Sequence, residues 1–178
     1  MIVLIGKSGC GKTSIAKSLE KYIKRIITYT SRPKRPDEIE DDDYHFVSEK
    51  EFENLIKANN FLEYQSYNNW YYGTSYSGLD NNSVIILSPS GLERLQENNN
   101  LDITSFYIKV DQKSRLNNLY STRDDNEEIN RRNKTDEFDF RDIENMVDHV
   151  VCNIGYQYSP DQLADKIYKI YTKGFINA

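Results

Sequence analysis

The opening stretch constrains this chain more than any other part of it. Met1-Ile-Val-Leu-Ile5 is an unbroken apolar run, long enough for one buried strand and too short to cross a membrane. It runs directly into Gly6-Lys-Ser-Gly-Cys-Gly-Lys-Thr13, which fits G-x-x-x-x-G-K-[ST] at every fixed position. Behind it Ile15, Leu19, Tyr22 and Ile23 recur at helical spacing, which predicts a helix over Ser14–Ile23. Strand, glycine loop and helix together form the context in which this pattern holds a nucleoside triphosphate.

The residue types suit that chemistry. Gly6, Gly9 and Gly11 lack a Cβ, so the loop can turn N–H groups inward and let phosphate oxygens approach. The following helix aims its positive end at the same oxygens. Gly6, Lys7, Ser8, Gly9, Cys10, Gly11, Lys12, Thr13 and Ser14 are therefore the expected ATP-binding residues. Lys12 is expected at the β- and γ-phosphates, and the Thr13 hydroxyl on Mg²⁺. The bland alternative is a glycine turn before a core helix, and the apolar strand in front argues against it. Cys10 reads as a small side chain at a free loop position. An oxidation-sensitive thiol among N–H groups is the rival view.

Bulk properties exclude several classes. The chain has 178 residues and a net charge of −5, which suits one domain and does not suggest a nucleic acid partner. Two cysteines make no disulfide framework, so a cytoplasmic setting is expected. No long apolar run or basic leader occurs, so neither a membrane span nor a signal peptide is expected. His45 and His149 have no cysteines at ligand spacing, and a zinc site is not expected.

Strand-like and helix-like segments alternate along the chain. Ile26–Thr30, Tyr44–Val47, Ser83–Leu87, Thr104–Val110 and His149–Cys152 read as strands. Phe61–Tyr67 and Trp70–Tyr72 read as a hairpin around Asn68-Asn69, with Gly73-Thr74 leading into a turn. Ser48 with Glu51 forms a capping box for one helix. Further helices are expected over Ser90–Glu97, Asp111–Tyr120, Glu127–Met146 and Pro160–Thr172. Alternation of this kind predicts an α/β fold, a parallel sheet with helices on both faces. The core is expected over residues 1–31, 75–120 and 147–178, with an inserted module over 32–74 and a short lid with its adjoining helix over 121–146.

A donor site needs an acceptor site, and the inserted module holds suitable residues. Arg32 and Arg35 sit on a proline-stiffened loop, so both guanidinium groups can converge on one phosphate. Tyr44 and Tyr72 add phenolic donors. Glu63 lies in a strand amid aromatics, where a carboxylate can accept from the ring N–H and amine of guanine, with Thr28 and Thr74 as nearby hydroxyls. Taken singly these are a solvated basic loop, a surface carboxylate and packing tyrosines; their joint pattern argues otherwise.

That joint pattern, Thr28-Tyr-Thr-Ser-Arg32-Pro-Lys-Arg35-Pro, Asp43-Tyr44-His-Phe-Val-Ser48, Phe61-Leu-Glu63-Tyr and Tyr72-Gly-Thr74, resembles the acceptor half of guanylate kinases. With the glycine loop and a weaker likeness through Arg115, Arg123 and Arg132 to Val150-Val-Cys-Asn153, it extends over nearly the whole chain. The resemblance implies a P-loop NTPase-type fold and phosphate transfer from ATP to GMP or dGMP, with Mg²⁺ as cofactor. It implies that Arg32, Arg35, Tyr44 and Tyr72 hold the GMP phosphate and that Thr28, Glu63 and Thr74 read guanine. It further implies that Arg123 and Arg132 act with Lys12 on the transferring phosphate and that Asn153 contributes to the ATP site. Two departures stand out. Ile86-Leu-Ser88-Pro-Ser-Gly91 replaces the family's D-x-D-x-x-G, so Ser88 stands where a carboxylate is usual and is expected at the GMP site, where it can replace some of the hydrogen bonding but not the charge. The spacing from Arg115 to Arg123 is also longer than the family pattern.

No strong base is required, because a phosphate monoester with a second pKa of about 6 is already ionised. Catalysis is then positioning and charge neutralisation. Two rival readings remain: a guanylate-kinase-like binding module with little or no activity, and a small-molecule kinase with another acceptor. The intact Gly11-Lys-Thr13 argues against the first and Glu63 against the second.

Overall fold

The structure, a computed structural model, describes residues 1–36, 38–67, 69–97, 100–122 and 126–176. The strands are β1 (Ile2–Ile5), β2 (Lys24–Arg25), β3 (Tyr29–Thr30), β4 (His45–Phe46), β5 (Phe61–Tyr67), β6 (Trp70–Ser75), β7 (Ser83–Ile86), β8 (Thr104–Lys109) and β9 (His149–Cys152). The helices are α1 (Lys12–Leu19), α2 (Glu49–Lys57), α3 (Pro89–Gln96), α4 (Gln112–Thr122), α5 (Asn126–Asp139) and α6 (Pro160–Ile176). Strands β2-β7-β1-β8-β9, in that order, form a five-stranded sheet in which every pairing is parallel.

The apolar run explains why β1 is central. Ile2 and Leu4 face a core formed with α1 and α6, while Met1, Val3 and Ile5 face a second core under α3. All five are 0% exposed, and each such side chain contributes about 1.5–3 kcal/mol by leaving water. Two fully buried serines are paired: Ser105 donates through N–H and hydroxyl to Asp148, and Ser83 donates to the Asp80 carbonyl.

A second, mixed sheet of order β4-β3-β6-β5 carries α2. The capping box is made as expected: Glu51 N–H donates to Ser48 Oγ, and Ser48 N–H donates to the Glu51 carboxylate. Phe52 of α2 stacks on Phe61 and Tyr71, at ring separations of 4.5 and 5.2 Å. Gly73 makes this possible, since a Cβ there would lie 2.8 Å from Phe52.

Four elements differ from the sequence expectation. The helix after the glycine loop stops at Leu19, and the Tyr22 and Ile23 N–H groups fold back onto the Leu19 carbonyl. Ile23 reaches the core from that turn, while Tyr22 turns out to stack on Tyr168 at 4.1 Å. The expected strand Ile26–Thr30 splits between the sheets. Ile26 still donates to Val84, but the chain then leaves the parallel sheet and starts the second with Tyr29. Gly73 and Thr74 continue β6 and make no turn, because β5 pairs with them. The long helical stretch ends at Asp139, where Phe140 and Ile143 turn into the core through a short 3₁₀ segment over Ile143–Asn145.

Candidate phosphate-binding and acceptor site

Gly6 to Gly11 leave β1 and enter α1, with Gly9 at φ 81° and Gly11 at φ 90°. Both values lie in the left-handed region that glycine adopts without strain. Gly9 is also tightly enclosed, since a Cβ would lie 2.9 Å from the Arg115 carbonyl. As the first turn of a helix, Lys12, Thr13 and Ser14 present N–H groups without intrahelical partners. Lys12 lies folded over the loop, its ammonium donating to the carbonyls of Gly6 and Lys7. Cys10 is 1% exposed, with its sulfur against Gly6, where a Cβ would come within 2.5 Å. It is a packing group in this conformation.

Beside the loop lies a cavity of about 280 Å³ lined by Cys10, Gly11 and Ser14, by Asn118 of α4, and by Asn153, Tyr156 and Tyr158 after β9. Asn153 is buried, and its amide is taken up by the Tyr158 backbone: Oδ1 accepts from the N–H and Nδ2 donates to the carbonyl. It shapes the wall and does not project into the space. Asp111 accepts from the Gly155 and Ser114 N–H groups, which holds its carboxyl down at about 2. Asn118, Tyr156 and Tyr158 were missed by sequence reasoning. Their position after a core strand, opposite the loop, is a tertiary fact.

The second sheet brings the acceptor candidates together. Glu63 and Thr74 are cross-strand partners on β5 and β6, and Tyr72 lies two residues from Thr74 on the same face. Thr28 precedes Tyr29, whose ladder partner is Gly73. A register shift between Phe61 and Glu63 sends both Phe61 and Leu62 inward and turns Glu63 toward α3. There Ser88, the N-cap of α3, donates its hydroxyl to Glu63 Oε2 and its N–H to Oε1 at 3.3 Å. Gly91 leaves room for that carboxylate, since a Cβ would overlap Glu63. Burial pushes the Glu63 carboxyl up, and the Ser88 bonds offset this only in part.

Arg32 donates to Glu38 Oε1 at 2.6 Å, while the Arg35 N–H donates to Oε2 at 2.8 Å. The Arg35 guanidinium lies 4.0 Å from the same carboxylate and its side chain is 58% exposed. One carboxylate thus gathers both arginines. Burial would lift Glu38, but the Arg32 guanidinium and the Arg35 N–H hold it below the usual carboxylate range. Arg32 also interacts with Tyr72 and stands 5.7 Å over the Tyr44 ring, and the Tyr44 and Tyr72 rings are 6.0 Å apart. Glu38, which bonds both Arg32 and Arg35, was concealed in the sequence by the charge-rich run around it.

Arg132 of α5 joins this cluster. It donates to Glu128 at 3.1 Å and lies within electrostatic reach of the Tyr72 and Tyr44 phenols. Burial lowers its pKa against the opposing effect of Glu128. Arg123, the other arginine expected at the transferring phosphate, lies outside the described residues. The described residues contain no helix long and apolar enough to cross a membrane.

A glycine loop between a buried parallel strand and a helix, on a sheet covered on both faces, defines an α/β protein of the P-loop NTPase type. A sequence model of the family "Guanylate kinase" matches residues 1–169, and the chain belongs to that family. A guanylate kinase of Mycoplasma genitalium is 30% identical over 175 residues, covering 92% of this chain and 72% of that protein. One of Blochmanniella floridana is 40% identical over 95 residues, covering 51% of this chain and 43% of that protein, so this second match spans less than half of the relative. The crystal structure of guanylate kinase from Anaplasma phagocytophilum superimposes with a TM-score of 0.71 at 23% identity, over 98% of this chain and 85% of that one. That likeness concerns the fold.

Proposed function

We propose that this chain is a guanylate kinase that transfers the γ-phosphoryl group of ATP to GMP or dGMP. A phosphate oxygen of the monophosphate attacks the γ-phosphorus. The bond from that phosphorus to the bridging oxygen breaks, and ADP and the diphosphate leave. Family membership supports the reaction class. The observation that carries the acceptor is the β5–β6 hairpin, which joins Glu63 and Thr74 with Tyr72, the partner of Arg32.

In this reading Gly6–Ser14 hold the ATP phosphates, Lys12 neutralises charge on the transferring group, and Asn153 keeps the donor wall in shape. Arg32, Arg35, Tyr44 and Tyr72 take the GMP phosphate. Glu63, with Thr28 and Thr74, accepts from and orients guanine, and Ser88 steadies Glu63. Arg132 and Arg123 act on the transferring phosphate from the other side. The acceptor module over 32–74 and the lid, which with its adjoining helix spans 121–146, close against the core to exclude water. Thr13 is exposed at the start of α1 beside unpaired N–H groups. Its hydroxyl oxygen suits Mg²⁺, which binds through few protein ligands and draws the rest from phosphates and water, while the N–H groups suit phosphate. Bound there, the ion would help to neutralise the phosphate charge. A cytoplasmic setting accords with the two free cysteines, Cys10 and Cys152.

The deciding experiment is turnover of ATP with Mg²⁺ and a panel of GMP, dGMP, AMP, CMP and UMP. Selective phosphorylation of GMP or dGMP is expected. No turnover with any acceptor refutes the kinase reading, and equal use of AMP refutes the role of Glu63.

A further inference from the structure

Two residues on one face of α5 meet the phosphate-binding loop, and a third on that face meets Arg115 beside it. Asp136 Oδ2 accepts from the Ser8 N–H at 2.7 Å, and Glu137 pairs with Lys7 at 2.8 Å. Asn133, three residues before Asp136, accepts from Arg115 at 3.3 Å. Arg115 rises from α4 and is 2% exposed. It also donates to the Ser8 carbonyl at 3.0 Å, and it lies 3.8 Å from Asp136 and 3.6 Å from Glu137. Ser8 is therefore held through both its N–H and its carbonyl. Arg132 is the residue before Asn133, about 100° round the helix, and it faces Glu128, Tyr72 and Tyr44. A single helix thus grips the donor loop through one face and presents an arginine to the acceptor cluster from the adjacent one.

We propose that Asp136 and Arg115 are positioning residues that dock α5 onto the phosphate-binding loop and so set Arg132 between donor and acceptor. The proposal rests on the kinase reading. Arg115 is enclosed by Ser8, Asn133, Asp136 and Glu137, so it acts through them and not on substrate. Asp136 restrains the amide of Ser8 and leaves the N–H groups at the start of α1 to phosphate.

The test is a double-mutant cycle between Asp136→Ala and Arg132→Ala, read in kcat with wild-type turnover as reference. Asp136→Ala is expected to lower kcat about tenfold while both KM values stay within about threefold, and the double variant to fall short of the multiplied losses by about threefold or more. Asp136→Asn keeps an oxygen for the Ser8 N–H and is expected to regain most of the rate. Hydrogen exchange at the Ser8 amide in the full chain, which needs no activity, is expected to quicken about tenfold or more in Asp136→Ala. Multiplicative losses, an Asn variant as slow as Ala, or unchanged exchange overturns the proposal while the kinase reading stands. Absence of wild-type turnover overturns both.

Discussion

Ser88 grips Glu63 with two donors, its hydroxyl on Oε2 and its N–H on Oε1. The family's usual acid at this position would face Glu63 as a like charge. A serine instead caps α3 and steadies the one carboxylate assigned to guanine. Glu63→Gln replaces one acceptor oxygen with an amide donor aimed at the donor edge of guanine. Losing a bidentate base contact costs about 1–3 kcal/mol, so kcat/KM for GMP is expected to fall roughly tenfold to a hundredfold. The rate with AMP should stay at its low wild-type level. Steady-state kinetics on both acceptors check this.

The same pair sets an acid limb. Burial raises the Glu63 pKa above the ordinary carboxyl value, and the Ser88 bonds counter part of the rise. Only the ionised form accepts both guanine donors, so GMP affinity is expected to fall as pH drops through that raised value. Ser88→Ala removes the hydroxyl bond and leaves the backbone N–H in place, so Glu63 is pushed higher and the limb moves to higher pH. The titration of the GMP phosphate itself does not move, so a pH profile of kcat/KM(GMP) for the two proteins isolates the shift.

Lys12 folds over the loop carbonyls and sits far from the β5–β6 hairpin in the chain. Lys12→Ala is expected to reduce kcat by about 10²–10³-fold, the usual loss on removing one electrostatic stabiliser of a transition state. GMP binding, measured by calorimetry, should stay within about threefold of wild type. A parallel loss of GMP binding would contradict separate donor and acceptor sites.

Gly73 lies where a Cβ would meet Phe52 at 2.8 Å and Phe61 at 3.0 Å. Gly73→Ala overpacks that aromatic stack and is expected to cost about 1–3 kcal/mol, read as a lowered denaturation midpoint. Because Tyr72 and Thr74 flank it on the opposite face, KM for GMP should rise as well.

Asp111 titrates at about 2 because the Gly155 and Ser114 N–H groups bond its carboxylate. With a depressed folded pKa, its contribution is fully present above the unfolded value and is lost as pH falls from there toward 2. Asp111→Asn should therefore flatten the acid end of the stability curve. At neutral pH the variant should also raise KM for ATP, since Gly155 stands beside the donor cavity wall.

Much of this protein was determined by its sequence alone. Met1–Ile5 is apolar at every position and so reads as a buried strand, and the glycines and Lys12-Thr13 behind it specify a phosphate loop. The capping box at Ser48 and the pairing of β5 with β6 are likewise local chemistry, set by neighbours close in the chain. Arg32, Arg35, Tyr44, Glu63, Tyr72 and Thr74 stand out in the sequence through their joint pattern and its resemblance to guanylate kinases, and the fold gathers Glu63, Tyr72 and Thr74 on one hairpin.

Tertiary structure decided what depends on approach between distant segments. Ile26–Thr30 carries one strand's composition, yet it divides because Val84 pairs with its beginning and Gly73 with its end. Glu38 lay hidden in an acidic run, and only folding brings it against Arg32. Nothing in Arg115 or Asp136 announces that they meet at Ser8, on chain segments far apart. Hydrogen bonds and ion pairs of this kind are made by side chains whose direction is set by packing, and packing is not local. Ser88 shows the limit most clearly: by sequence it is a missing carboxylate, and in the fold it is the group that holds another carboxylate in place.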